Sequence, residues 1–433
     1  MCGPEKPCDS NGVQRLWLNP DRFRHKNKID MESRYPEQGG RGARFNCVLC
    51  ESPLTESTRP EHILLKALGG RKTSTIVLCS YCNNMMGGGP DNELAESVRV
   101  IRNICDFKDG EGRPAPAIAS LEAGVHKFDL LPGGNIKPVI KQQVQVSRFD
   151  DGTPATLAVR ASTHDFGRRV EDALVGLGFD GSQIDDFKRA FVENAELVSV
   201  PVPSTVFNLS FGTIGALRSI AKSCLTLWSL AAGNAEMLRP AYSELKHFIL
   251  TGEIDGSGSS VIDLRTDPLP EQARRFSTIP HFIWVGSDSK GQVRGYFHLY
   301  GLVGWSVLLC NSGAPPNLRY ALFSDPEDPR RWEDGPSTGT WLNFEWVSTP
   351  PQRFDSNLIK ENLARLHVIA QEKSKQILFD RSFEIALQEL NLTADQELSA
   401  DQVKRFSEHL LHHLVYGLFK VSYVRKGECF RIL

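Results

Sequence analysis

Cys47-Val48-Leu49-Cys50 … Arg59-Pro60-Glu61-His62-Ile63 … Cys79-Ser80-Tyr81-Cys82-Asn83 is the stretch that decides how this chain is read. Two Cys-x-x-Cys knuckles bracket an acid–histidine pair, and an asparagine directly follows the last cysteine. Each knuckle presents two sulfurs to one ion, so Cys47, Cys50, Cys79 and Cys82 can close a tetrahedral zinc shell. A four-sulfur shell has no open position for water and is structural. Its work is to hold a small unit with too little core to fold alone. The span between Cys50 and Cys79 is longer than a minimal zinc ribbon needs, and the extra length carries Glu61-His62 and the pair Gly69-Gly70.

Working outward, residues 59–63 read as a short strand and 76–78 as its partner, with Gly69-Gly70 supplying the turn between them. A helix is expected from Ser80, broken by Gly87-Gly88-Gly89-Pro90. A second spans about 92–106, with Leu94, Val98, Ile101, Ile104 and Cys105 on one face. On a strand, Glu61 and His62 point to opposite faces, so one can hold a metal while its neighbour meets a substrate water. Asn83 is fixed in place by the zinc site at the helix start. Glu61 and Asn83 offer oxygen donors suited to magnesium or manganese. His62 is not needed as a ligand, and its ordinary pKa of about 6.5 suits a general base. Arg59, Lys66, Arg71 and Lys72 are candidates to position a phosphate backbone, a contact that carries little sequence information.

The ordered set CVLC … RPEHILLKALGGRK … LCSYCNNMMGGGPDNEL resembles the HNH, or ββα-metal, endonucleases, in the branch with two zinc knuckles, over roughly residues 44–98. The resemblance implies that His62 is the general base, Glu61 the acidic metal ligand and Asn83 the ligand in the final helix, with the four cysteines as the zinc shell. It further implies metal-assisted phosphodiester hydrolysis in which His62 takes a proton from the attacking water. Three positions depart from the family pattern. Many members have Asp where Glu61 stands. Asn84 adjoins Asn83. The middle Asn of the family's name has no clear counterpart, its loop being occupied by Thr73, Ser74 or Thr75. Asp91 matches an acidic family position whose role the sequence does not give.

The fold class expected is α+β: an N-terminal zinc-stapled ββα-metal module followed by a larger mixed domain with C-terminal helices. The organisation expected is an arm over 1–45, the nuclease module over 46–108, a boundary in the Gly- and Pro-rich segment 108–118, a mixed α+β domain over 119–350, and a helical region over 351–433. In the arm, Arg15, Arg22, Arg24, Lys26 and Lys28 are interleaved with Trp17 and Phe23. It reads either as a phosphate-contacting segment or as a solvated leader. Beyond the boundary, 127–131, 137–146 and 155–161 read as strands, 165–176 and 182–194 as helices, and 198–211 as extended. Residues 213–251 form one or two buried helices. Apolar runs at 281–286, 295–300, 304–310 and 318–323 form a meander whose aromatics, Trp284, Phe297, Tyr300 and Trp305, belong to the core. Residues 356–391 and 400–420 are amphipathic helices. On the last of these His409, His412 and His413 read as a solvated face, and Gly87–Gly89 lacks the Lys-Ser/Thr of a phosphate-binding loop.

A net charge of −2 gives no global basic field, so a nucleic-acid contact must rest on a local patch. The other cysteines, Cys2, Cys8, Cys105, Cys224, Cys310 and Cys429, are scattered without rhythm, which suggests a reduced, cytoplasmic protein. The most apolar stretches, 224–232 and 302–309, fall short of the about 20 residues that cross a bilayer. The leading expectation is a DNA endonuclease with structural Zn2+ and catalytic Mg2+ or Mn2+. An HNH head on an unrelated body resembles effectors of antiphage defence and modification-dependent restriction enzymes. Two alternatives stand beside it: a non-catalytic zinc-dependent nucleic-acid-binding module, and an RNase or ligand-regulated nuclease. A single head nicks more naturally than it cuts both strands, so paired cuts would imply a dimer; a homo-oligomer and an activating partner are both open expectations.

Overall fold

The computed structural model describes residues 45–123, 126–139, 143–162, 166–193, 196–200, 207, 209–210, 212–253, 262–266, 276–336, 342–350, 355–418 and 422–431. The arm lies outside these residues, as does most of the extended stretch expected at 198–211. The protein is of the α+β class. A small region that carries the two cysteine knuckles comes first, and the rest of the chain is a mixture of sheets and helices.

The first region is built around a two-residue ladder. Strand β1, Glu61–His62, pairs antiparallel with β2, Thr73–Ser74, placing Glu61 opposite Ser74 and His62 opposite Thr73. The expected partner, 76–78, is displaced by this register. Val77 and Leu78 are fully buried beneath the first knuckle instead, where the Val77 carbonyl accepts from Val48 N at 2.8 Å. Gly69 takes a φ of +88° at the turn, and a Cβ on Gly70 would lie 1.8 Å from the Leu64 carbonyl oxygen, so this loop needs both glycines.

Helix α1, Ser80–Gly88, is followed by α2, Pro90–Ser97, which starts on the proline expected to break the chain, in the first-turn position where a missing N–H costs nothing. Helix α3, Arg99–Ile104, comes next: the single helix expected over 92–106 is divided at Val98, whose φ and ψ of −113° and 5° leave the helical range. Leu94, Val98, Ile101 and Cys105 still share a buried face, because the break adds no residue to the repeat.

Among the described residues the body contains three sheets. Strands β3 (Ile118–Ala123), β4 (His126–Leu131) and β5 (Asn135–Val139) form the first. Strands β6 (Gln143–Arg148) and β7 (Pro154–Ser162) begin the second. It is backed by α4 (Phe166–Gly176) and α5 (Gly181–Glu193) and continued by β8 (Glu196–Val200). Helix α6, Ile214–Ala232, is buried along most of its length and lies against the third sheet. Short α7 (Asn234–Met237) and α8 (Ser243–Thr251) come after it. The third sheet has β9 (Ile262–Arg265), β10 (His281–Ser287), β11 (Val293–Leu299), β12 (Val303–Cys310), β13 (Arg319–Ser324) and β14 (Trp332–Pro336). They run antiparallel in the order β14-β13-β10-β11-β12-β9, so the four expected strands are present but do not form a simple meander: β13 crosses over to pair with β10, β9 takes the free side of β12, and β14 adds the other edge. Alternation along β10 sends Ile283 and Val285 into the main core and Phe282 and Trp284 to the opposite face. There they meet Tyr296, Phe323 and Phe344 of the short helix α9, Phe344–Ser348. Trp284, Phe297, Tyr300 and Trp305 are all buried.

Helices α10, Ser356–Glu389, and α11, Ala400–Leu418, pack on one another. The region beyond residue 350 is not wholly helical, as had been expected of it. Strand β15, Ser422–Arg431, lies between β7 and β8 and completes the second sheet. The main core runs without interruption from Cys47, Val77 and Leu94 through Ile220 and Trp228 of α6 to Ile283 and Val303. Asn234 strengthens that junction. Its Oδ1 accepts from Asn46 N at 3.0 Å, and its Nδ2 donates to the carbonyls of Asn46 at 2.7 Å and Ile76 at 3.0 Å. No helix among the described residues is long and apolar enough to cross a membrane.

Candidate metal centre and nuclease site

Cys47, Cys50, Cys79 and Cys82 place one sulfur each within 4.8 Å of the others. The first knuckle is a tight turn in which Glu51 N donates to the Cys47 carbonyl at 2.9 Å and Cys47 N to the Ser52 carbonyl at 2.8 Å. The second sits at the start of α1, where Cys79 is the N-cap and its sulfur accepts from Cys82 N at 3.4 Å. A helix start is a natural place for a thiolate, since unpaired N–H groups and the helix dipole both favour negative charge. Four thiols this close cannot ionise together unaided. The hydrogen bond from Cys82 draws Cys47 down to about 4, and the same bond drives Cys82 up. A divalent cation resolves that conflict, and four sulfurs at this spacing are the donor set of structural zinc.

Beside the cluster, Asn83 N donates to the Cys79 carbonyl at 2.9 Å, which fixes the residue on the first turn of α1. Its Nδ2 donates to the Pro60 carbonyl at 3.4 Å, so Asn83 is held against the residue that precedes β1, and Oδ1 is the atom left for an ion. Neighbouring Asn84 is exposed. Glu61 and His62 diverge as a strand requires: Glu61 is 4% exposed, while His62 is half-buried. Burial first, then the charges of Lys66 and Lys222, hold His62 below the usual imidazole range, which favours the neutral ring that can accept a proton.

Glu61 has a partner that no local pattern announces. Lys222, on α6, is 1% exposed and donates from Nζ to Glu61 Oε1 at 2.5 Å and to Asp91 Oδ2 at 2.6 Å. Ser219, one turn earlier on α6, donates to Asp91 Oδ1 at 2.6 Å. Burial pulls the lysine down, but the Asp91 and Glu61 carboxylates outweigh it and keep the ammonium charged. Glu61 Oε2 receives no hydrogen bond among the described residues. The signal in the sequence is faint: a lysine inside a helix otherwise apolar enough to be buried all round must find an acid somewhere. Asp91, whose role the sequence did not give, is the second of the two acids.

The four basic candidates separate into two pairs. Arg59 and Arg71 are exposed and carry no ion pair among the described residues. Lys66 is engaged with Glu111, and Lys72 lies 3.2 Å from Asp334 on β14. Far from this centre, His409 and His413 both bond Glu389 Oε2, at 2.7 and 3.0 Å, joining α11 to α10.

A family model described as HNH endonuclease matches residues 47–98, a span that holds both knuckles, Glu61, His62, Asn83 and Asp91. Neither a curated protein nor a solved structure matches the chain. Residues 47–98 are thus an HNH endonuclease module stapled by a four-cysteine zinc site, set at the head of a larger α+β chain.

Proposed function

We propose that this protein is a metal-dependent endonuclease that hydrolyses DNA phosphodiester bonds, with His62 as general base and Glu61 and Asn83 as ligands of a catalytic magnesium or manganese ion. The observation that carries this reading is the hydrogen bond from Asn83 Nδ2 to the Pro60 carbonyl. It brings the zinc-anchored start of α1 against the strand bearing Glu61 and His62, within the span that matches the HNH family. Glu61 Oε2 and Asn83 Oδ1 are hard oxygen donors of the kind these ions take. When bound, such an ion neutralises charge on the phosphate and on the leaving oxygen.

The protein's own groups supply the rest. His62, half-buried and biased to its neutral form, takes the proton of the attacking water. Arg59 and Arg71 hold the phosphate backbone from the exposed side. Lys66 and Lys72 serve the loop through Glu111 and Asp334 rather than the substrate. The body beyond residue 118 then acts in target choice or control. The scattered cysteines outside the cluster, buried at Cys105, Cys224 and Cys310, accord with work in a reducing cytoplasm.

The test is cleavage of supercoiled plasmid and of a matched RNA, side by side, in Mg2+, Mn2+ or chelator. A DNA endonuclease gives metal-dependent nicked circles and spares the RNA. Cleavage of RNA alone would move the substrate to the other nucleic acid. Binding of either without cleavage in any metal would leave a zinc-dependent binding module.

A further inference from the structure

We propose that Lys222 is a positioning residue of the nuclease site: its ammonium, brought from the body by α6, clamps Glu61 Oε1 and leaves Oε2 as the donor for the divalent ion. The inference rests on the nuclease function proposed above and deepens it. Lys222 lies 161 residues beyond Glu61, outside the family match, so the module would be completed by a residue the family span does not contain.

A buried lysine needs a reason. Taking an ammonium and two carboxylates out of water is costly, and replacing such a group with apolar side chains of similar volume is often neutral or stabilising. Docking alone is therefore a weak reason to keep it. The surrounding core, with Leu94, Ile220 and Ala221 all fully buried, could dock α2 on α6 without charge. A carboxylate that must present one chosen oxygen to an ion is a stronger reason. Hydrogen-bonded partners of metal-binding carboxylates orient them, and their loss costs about 10- to 100-fold in metal affinity. Asp91 has a place in the same device. It takes the second bond of Nζ, and Ser219 holds its other oxygen, so the ammonium is centred between two acids.

Charge and position make opposite predictions here. Lys222, Glu61 and Asp91 together carry one net negative charge. Removing Lys222 doubles it, and on charge alone a divalent cation would bind more tightly. If Lys222 orients Glu61, its removal takes away the donor that fixes Oε1, whether or not Asp91 is charged. Glu61 then turns away and the divalent cation binds more weakly. The sign of the change decides between a clamp and a competitor.

The experiment uses the full chain with its zinc content measured, and follows Mn2+ binding without nucleic acid by the electron paramagnetic resonance of free Mn2+. Lys222→Met should keep zinc and weaken Mn2+ binding by about 10- to 100-fold. Lys222→Met/Asp91→Asn, which restores the wild-type net charge and carries the test if the single variant does not fold, should be weakened as much. Lys246→Met is the control. Lys246 is another buried lysine from the body, reaching Glu51 beside the first knuckle at 2.9 Å, and its loss should change Mn2+ affinity less than about twofold. Unchanged or tighter Mn2+ binding after Lys222→Met would overturn the clamp, as would an equal loss in Lys246→Met. A wild-type protein that binds no Mn2+ would remove the nuclease function itself and the clamp with it.

Discussion

Asn234→Ala should loosen the zinc module from the body at a cost that can be worked from three hydrogen bonds. The side chain, 8% exposed, accepts from Asn46 N and donates to the carbonyls of Asn46 and Ile76, the residues just before the first knuckle and just before the buried pair Val77-Leu78. Each bond contributes a net of about 1 kcal/mol, giving about 3 kcal/mol in all. The backbone groups left behind add to that figure if water does not reach them. About 3 kcal/mol corresponds to roughly a hundredfold rise in the population of the opened junction. The assay is zinc release to a colorimetric chelator, run beside urea unfolding. Asn234→Ala should release zinc roughly a hundredfold faster where opening limits release. Asn234→Asp should be worse, since it keeps the acceptor but sets a carboxylate against two carbonyl oxygens. Release and unfolding midpoints indistinguishable from wild type would refute the reasoning, because the three bonds would then contribute nothing.

Other outcomes rest on the same geometry. Gly69→Ala meets only ordinary contacts with Pro329, so its cost is the left-handed backbone alone, about 1–2 kcal/mol. Gly70→Ala drives a Cβ into the Leu64 carbonyl and should exceed it clearly in the same urea series. Arg59→Ala and Arg71→Ala should each lower the slope of log binding constant against log salt by about one, whereas Lys72→Ala, which breaks the contact with Asp334, should leave that slope nearly unchanged. Chelating the zinc should unfold the module, seen as loss of the DNA-dependent signal together with exposure of Cys47 and Cys82 to thiol reagents, while Cys224, buried and with its thiol pushed up, stays unreactive until the body unfolds.

The features legible in the sequence were local. Ligand spacing in the two knuckles, the acid–histidine pair on a strand and the asparagine at the helix start all act within a few residues of one another, and the four sulfurs do gather in one cluster. Four strands of the third sheet, β10 to β13, announced themselves by apolar runs separated by Gly, Asn or Pro, whereas the edge strands β9 and β14 and the pairing of β13 with β10 did not. The hidden features depended on distance along the chain or on competition between equals. Val77 and Leu78 look like a strand, yet the core beneath Cys47 takes them, and the less apolar Thr73–Ser74 pairs with His62 instead. Strand Ser422–Arg431 is interrupted by Lys426, Gly427 and Glu428, which conceals it behind the helices before it. Lys222 bonds acids 161 and 131 residues away, and no window of sequence contains all three.

The most direct measurement of the central claim is nicking of supercoiled plasmid by wild-type and His62→Ala protein of matched zinc content, in Mn2+ and in Mg2+, with DNA binding measured on the same samples. If His62 is the general base, wild-type protein nicks only with metal, and the variant loses at least about a hundredfold in rate while binding DNA and holding zinc as before. Equal nicking by the variant, or DNA binding with no cleavage by wild-type protein in either metal, would contradict it.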